Sequence, residues 1–230
     1  MADSLVYDES QVEVLDLTRT LKENEKLKLQ IIDNQRVAPL KIVGKIVLSR
    51  GATLDMLQVD LGRLDVDCRL QVEVLDDAEF NSTVCAMCQG NEHKRYAIDV
   101  VHIGHRSKSL TSMRGVCSDT SKMEFLGSSD IKRGAYKTHT RQEGKIINLS
   151  GRAKCTVSPA LLIAEEDVYA SHGATMGSVP TADMFYIMSR GLSKKTAERL
   201  ITVGYLKPGC QMIADEKARD LAISMLENEI

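Results

Sequence analysis

From Leu64 to Val74 the chain alternates apolar and polar side chains at every step. Leu64, Val66, Cys68, Leu70, Val72 and Val74 share one parity; Asp65, Asp67, Arg69, Gln71 and Glu73 share the other. A period of two puts each set on its own side of an extended backbone, so the stretch predicts a strand with one buried face. Runs of the same kind recur: LKLQII from residue 27, LKIVGKIVL from 40, ATLDMLQVDL from 52, AEFNSTVCAM from 78, YAIDVVHIG from 96, KMEFLG from 122, GKIINLSG from 144 and ALLIAEEDVYA from 160. Gly51, Gly62, Gly90, Gly104, Gly115, Gly127, Gly134 and Gly151 punctuate them about a strand and a turn apart. Many short strands rich in Val, Ile and Leu, with no helical segment between them, predict an all-β body. A sandwich, a barrel and a solenoid all satisfy that pattern. The lack of a tryptophan to anchor a sandwich core, and of Asn-Gly or Asp-Gly hairpin pairs, leans toward a β-solenoid.

Past Pro180 the period changes to that of a helix. In TADMFYIMSRG, Met184, Phe185, Ile187 and Met188 form a stripe, and Gly191 is a C-terminal stop. Ser193 caps a second predicted helix, in which Ala197, Leu200, Ile201, Gly204 and Tyr205 fall on one side and Lys207-Pro208 ends the run. A third helix is expected from about Ala214 to Glu229. The expected division is a β body over residues 1–178 and a helical unit over 179–230. The helical stripes need a surface, either the open end of the β body or a partner. Near the start, LTRTLKENEKLK fits a short helix or an irregular lead-in equally well.

Composition narrows the function classes. Thirty basic and 32 acidic residues give a formal charge of -2, which supplies no field for a nucleic acid backbone or an anionic membrane surface. No apolar run reaches the roughly 18 to 20 residues that span a bilayer, and the MADSLVYDES start is acidic where a secretion signal is basic, so a cytoplasmic protein is expected. The six cysteines follow no regular framework and read as reduced, mostly buried thiols.

Candidate chemistry is sparse. There is no Gly-x-Ser-x-Gly elbow, no HExxH and no phosphate-binding glycine loop, so no enzyme activity is expected. Cys85 and Cys88 sit at i and i+3 of an alternating strand, on opposite faces, which makes them a weak chelating pair. His93, His102, His105 and His139 read as solvated or internally satisfied histidines. His172 differs: Ser171, Gly173 and Ala174 leave its ring uncrowded where the chain leaves the β body, and a neutral imidazole there can offer a nitrogen to a metal or a partner.

The C-terminal half carries Pro159, an acidic pair at Glu166-Asp167, SHGATMG at 171–177, MFYIMSRGL at 184–192 and the helix from Ser193 to Leu206, in that order. This series resembles the SufB/SufD family, scaffold subunits of iron-sulfur cluster assembly, from about Leu126 to Leu206. The resemblance implies a right-handed parallel β-helix with a small C-terminal α-helical domain. It implies a SufB-like subunit paired through the β-helix ends, with a second copy of this chain as the alternative mate, and a SufC-like ABC ATPase bound by the helices. The corresponding docking residues here are Met184, Phe185, Tyr186, Arg190, Gly191, Leu192 and Tyr205. The SufB type has Glu after the matching histidine and an upstream cysteine, whereas here Gly173 follows His172 and the corresponding stretch, Arg141 to Gly144, has no cysteine. The arrangement is SufD-like, and His172 carries over as a ligand to a transient cluster at the subunit interface. Ala170 stands where SufD chains can have cysteine, which leaves imidazole as the ligand. Cys155, near a SufB cysteine but offset from it, is expected to be a core residue. Two other classes stay in view: a structural adaptor that carries no cluster, and a polysaccharide-acting solenoid enzyme, for which a chain with 4% aromatic residues is poorly equipped.

Overall fold

The structure is a computed structural model that describes residues 3–8, 13–33 and 38–228. Its strands are β1 (Asp3–Asp8), β2 (Val14–Asp16), β3 (Arg19–Leu21), β4 (Lys26–Asp33), β5 (Leu40–Leu48), β6 (Thr53–Asp60), β7 (Val66–Val74), β8 (Glu79–Cys88), β9 (His93–His102), β10 (Lys108–Cys117), β11 (Lys122–Ile131), β12 (Thr138–Asn148), β13 (Lys154–Ile163) and β14 (Val168–Ser178). Three helices follow: α1 (Thr181–Met188), α2 (Lys194–Cys210) and α3 (Glu216–Asn228).

The strands alternate between two all-parallel sheets. One runs β1-β4-β6-β8-β10-β12-β14 and the other β13-β11-β9-β7-β5-β2, with β3 also on β5. The chain therefore winds as a parallel β-solenoid, and each coil lays its strands in register on the coil before. Lys26, Thr53, Glu79, Lys108 and His139 stack as one such column. Alternation puts one parity of every strand into the lumen, where Leu54, Phe80, Cys68, Leu70, Val72, Tyr96, Ile98, Met113 and Phe125 form the main core.

The turns explain why hairpin signals were missing. Asn24, Gly51, Asp77, Arg106 and Lys137 all take positive φ, and each donates its backbone N–H to a carbonyl one coil further on, from Asn24 to Arg50 through Arg106 to Tyr136. Stacking, rather than turn-specific residues, holds the left-handed backbone at this corner, so Arg and Lys serve where isolated turns favour Gly or Asn.

The stretch 17–28, open between helix and lead-in by sequence, is a strand, a turn at Asn24 and the start of another strand. Pairing of β3 with β5 and of β4 with β6 supplies its backbone partners, which outweighs local preference.

The helices do not cap the open end of the solenoid. Instead α2 and α3 lie on the outer face of the first sheet, where Leu206, Cys210, Ile213, Ala222, Met225 and Leu226 pack on Ile32, Leu57, Val59, Cys85, Met87 and Val116. That cover is why the C-terminal halves of β4, β6 and β8 are buried on both faces. Gln30 fastens the α2–α3 corner, donating to the Met212 carbonyl at 3.1 Å and accepting from the Ala214 amide at 2.9 Å. Ser193 caps α2 as its sequence predicts, accepting from Thr196 N at 3.1 Å, and Gly191 turns the chain after α1 at φ 86°.

Two features of α2 differ from expectation. The helix runs through Pro208 to Cys210, and Gly209 lets its last turn approach β8 so closely that a Cβ there would collide with the Cys85 thiol. Its buried face is Ala197, Thr202, Leu206 and Gly209, which leaves Leu200 outward. The third helix begins at Glu216 rather than Ala214, and the expected end at Glu229 lies outside the described residues.

Candidate functional site

The last coil is uncovered. β13 and β14 are each paired on one side only, and the terminal coil exposes Leu162, Ile163, Tyr169 and Met176. His172 lies in the middle of β14 and is exposed. Its register partner is Gln142, which belongs to the lumen-facing parity of β12 with Thr138, Thr140, Gly144 and Ile146. Val168, Ala170, His172, Ala174 and Met176 therefore form the lumen-side row of β14, and only the missing next coil leaves them in the open.

The stretch Arg141–Gly144, which the resemblance matches to a SufB-type cysteine, holds no thiol. Gly144 has no room for a side chain, since a Cβ there would run into Cγ1 of Val157. Arg141 and Glu143 point outward and pair with each other. On the lumen side of β13, Cys155, Val157, Pro159, Leu161 and Ile163 supply no carboxylate or imidazole.

Beneath His172 the lumen changes character. Earlier coils are lined mainly by aliphatic and aromatic side chains, whereas the two coils before the last carry a buried polar ladder. His102 Nδ1 meets Ser107 Oγ at 2.8 Å and its Nε2 meets Ser109 Oγ at 2.9 Å. Ser107 continues to Thr138 at 2.9 Å, and Ser109 to Thr140 at 2.7 Å. Thr140 meets Ser129 at 2.8 Å, and Ser129 receives Gln142 Nε2 at 2.6 Å.

The direction of every bond follows from proton counting. Thr138 donates its only hydroxyl proton to the Ala135 carbonyl at 2.7 Å, so Ser107 must donate to Thr138 and His102 Nδ1–H to Ser107. Burial alone lowers the pKa of His102 to about 4, so at neutral pH the ring is uncharged and its Nε2 accepts from Ser109. Thr140 then donates to Ser109, Ser129 to Thr140, and the Gln142 amide nitrogen to Ser129. The second Nε2–H points to the Ala160 carbonyl at 3.4 Å. Gln142 Oε1 receives no hydrogen bond from any described residue.

The remaining histidines are placed as ordinary surface or internal groups. His93 pairs with Glu124 at 2.6 Å, His105 with Asp76 at 2.8 Å while stacking on Tyr136, and His139 stacks on Tyr169. Cys85 and Cys88 do face opposite sides: Cys85 packs under the helices and Cys88 in the lumen. All six cysteines are free thiols, five buried and Cys155 half-buried. Cys155 shares a hydrogen bond with Cys117, which lowers its own pKa; that bond, the one to Cys88 and burial hold Cys117 far above the usual thiol range.

Of the helical residues singled out by sequence, Phe185 is 74% exposed and Tyr186 is 62% exposed, and α1 buries none of its residues. Met184 and Leu192 are half-buried, Gly191 is exposed, and Arg190 donates to Tyr186 Oη at 2.9 Å over the same ring. Tyr205 is turned inward: its hydroxyl donates to the Lys145 carbonyl at 3.2 Å, and burial pushes its pKa up to about 12. It ties α2 to β12.

Sequence reading missed two buried polar groups. One is the hydroxyl ladder, signalled only by polar residues at lumen parity in Ser107, Ser109, Ser129, Thr138, Thr140 and Gln142. The other is Lys94, fully buried, whose Nζ donates to Asp60 Oδ1 at 2.7 Å and to the Gly62 carbonyl at 2.6 Å, with Tyr96 Oη on the other Asp60 oxygen. No described helix is long and apolar enough to cross a membrane.

Comparison with known proteins gives a consistent result. A family model described as SUF system FeS cluster assembly, SufBD core domain, matches residues 8–205. The iron-sulfur cluster assembly protein SufD of Bacillus subtilis is 32% identical over 142 residues, which cover 62% of this chain and 32% of that protein. SufD of Escherichia coli is 25% identical over 111 residues, 48% of this chain and 26% of its own length. A SufBD family protein of Pyrococcus horikoshii is 26% identical over 203 residues, 84% of this chain and 44% of that one. The chain thus spans less than half the length of each of these relatives.

Proposed function

Because the chain belongs to the SUF-system SufBD core family, we propose that it is a non-enzymatic, SufD-like scaffold subunit that helps to build iron-sulfur clusters in the cytoplasm. Its uncovered terminal coil pairs with the matching end of a SufB-like subunit, and His172 contributes an imidazole nitrogen to a cluster held transiently across that junction. Six free thiols are in keeping with a reducing compartment.

The observation that carries this reading is the placement of His172: exposed, on an edge strand, on the lumen-side row of a coil that no described residue covers. Two edge strands with unpaired backbone groups, beside exposed Leu162, Ile163, Tyr169 and Met176, are what a second solenoid needs to continue the sheets. Imidazole suits iron and adds no charge to a junction that must open again.

The helices supply the second contact in this reading. The exposed aromatics of α1, Phe185 and Tyr186, flanked by Met184, Arg190, Gly191 and Leu192, are the docking surface for a SufC-like ATPase, since exposed aromatic side chains bring large contact area at low entropic cost. Seating of α2 on the strands would then transmit ATPase movement to the solenoid, with Tyr205 as a fastening rather than a contact.

The test is anaerobic co-purification with candidate partners, followed by iron and acid-labile sulfide analysis. Wild type is expected to bring down a SufB-like chain and an ATPase and to accumulate cluster, while His172→Ala keeps the partners and loses cluster. Partners without any cluster in the wild type would make the chain a structural adaptor instead.

A further inference from the structure

Resting on the reading of His172 as an iron ligand, we infer that Gln142 positions its imidazole: the buried ladder commits the amide hydrogens and leaves Oε1 as an unused buried acceptor beside the register partner His172, to which one ring nitrogen donates once the ring turns over it, leaving the other free for metal.

Three observations combine. Gln142 and His172 are register partners on adjacent parallel strands and share the lumen-side face, so their side chains stack at about the 4.8 Å spacing between strands. The two amide hydrogens of Gln142 are directed at Ser129 and the Ala160 carbonyl, and the first of these assignments is dictated by a one-way run of bonds that begins at Ala135. Oε1 is thereby left as the acceptor, and a carbonyl-type oxygen can only accept.

Nothing else in the last two coils can do this work. Thr138 and Thr140 already accept from Ser107 and Ser129 and lie opposite Val168 and Ala170 rather than His172. Arg141 and Glu143 are on the outer face, paired together. The neighbours of His172 on its own row, Ala170 and Ala174, carry no polar group. A neutral imidazole presents a donor at one nitrogen and an acceptor at the other, and a fixed acceptor beneath the ring selects one tautomer. Metal-binding histidines nearly always donate their second N–H in this way, and loss of that partner costs 10- to 100-fold in affinity.

The experiment reads the tautomer directly by nitrogen NMR of the metal-free protein labelled with 15N-histidine, at pH 8. In the wild type, His172 is expected in one tautomer, with one pyrrole-like and one pyridine-like nitrogen. In Gln142→Leu both signals move toward the values of a freely exchanging exposed imidazole. Gln142→Glu, which retains an acceptor, keeps the wild-type pattern. Thr140→Val, which touches neither residue but cuts the ladder, shifts the pattern part of the way, an effect that simple packing of Gln142 would not produce. A parallel Co2+ titration is expected to weaken about 10- to 100-fold in the Leu variant and to stay within a few-fold in the Glu variant.

Identical His172 tautomer populations in wild type and Gln142→Leu would overturn the proposal. Because this reading needs no bound metal, it is separable from the functional one: a selected tautomer together with unchanged cluster loading in His172→Ala would sink the ligand role and leave the positioning intact.

Discussion

Replacing Thr140 by Val keeps the volume of the side chain and removes the central hydroxyl of the ladder. In the structure that hydroxyl is buried and makes two bonds, accepting from Ser129 at 2.8 Å and donating to Ser109 at 2.7 Å. The substitution strands the Ser129 proton and leaves the Ser109 oxygen without a donor, in a lumen closed to water. Each buried polar group left unmatched costs about 1–3 kcal/mol, so the expected loss is roughly 2–4 kcal/mol once local relaxation is allowed. For a chain of this size that corresponds to a Tm lower by about 5–12 °C. Thermal unfolding followed by circular dichroism measures it. A cycle with Ser109→Ala sharpens the test: if the two hydroxyls belong to one ladder, the double variant loses less than the sum of the singles by at least about 0.5 kcal/mol. Additive losses, or a Thr140→Val cost below about 1 kcal/mol, would refute the connected ladder and with it the fixed direction of its bonds.

Other consequences are open to direct measurement. Lys94→Met should cost about 3–5 kcal/mol in urea unfolding, because it removes the ammonium bonded to the buried Asp60 carboxylate, whereas Lys45→Ala, which breaks the exposed pair with Glu73, should change stability by less than about 1 kcal/mol. His102 has its pKa lowered from 6.5 to about 4 by burial, so its contribution to stability is whole above pH 6.5 and is lost as pH falls toward 4; the wild type should lose about 3 kcal/mol more than His102→Gln over that window, and parallel pH profiles would contradict the neutral buried ring. Phe185→Ser with Tyr186→Ser should leave unfolding within about 0.5 kcal/mol of wild type while lowering affinity for a SufC-like ATPase at least about tenfold by calorimetry; unchanged affinity would remove α1 from the docking surface.

The strands and their buried faces were legible because alternation is a local signal: the parity of residues 64–74 names the inward face without reference to any other strand, while the choice of a solenoid over a sandwich or barrel came from the family resemblance. His172 and the exposed aromatics of α1 were legible for the same reason, through small neighbours and a helical period. What sequence left hidden depends on stacking between coils. The left-handed positions Asp77, Arg106 and Lys137 are not themselves glycine, since the coil above holds each backbone. The placement of α2 on the sheet rather than over the open end depends on Gly209 meeting Cys85, residues far apart along the chain. Gln142 drew no notice in TRQEG, because its meaning arises only when β12 lies against β14 and the hydroxyls of two other strands and a turn line up behind it.

The most direct test of the account is the cluster content of the anaerobically assembled complex with and without the His172 imidazole. The account predicts that His172→Ala retains its partner subunits but falls to a small fraction of the wild-type iron and sulfide, with the visible absorbance of the cluster lost. A variant complex that carries as much cluster as the wild type would contradict it.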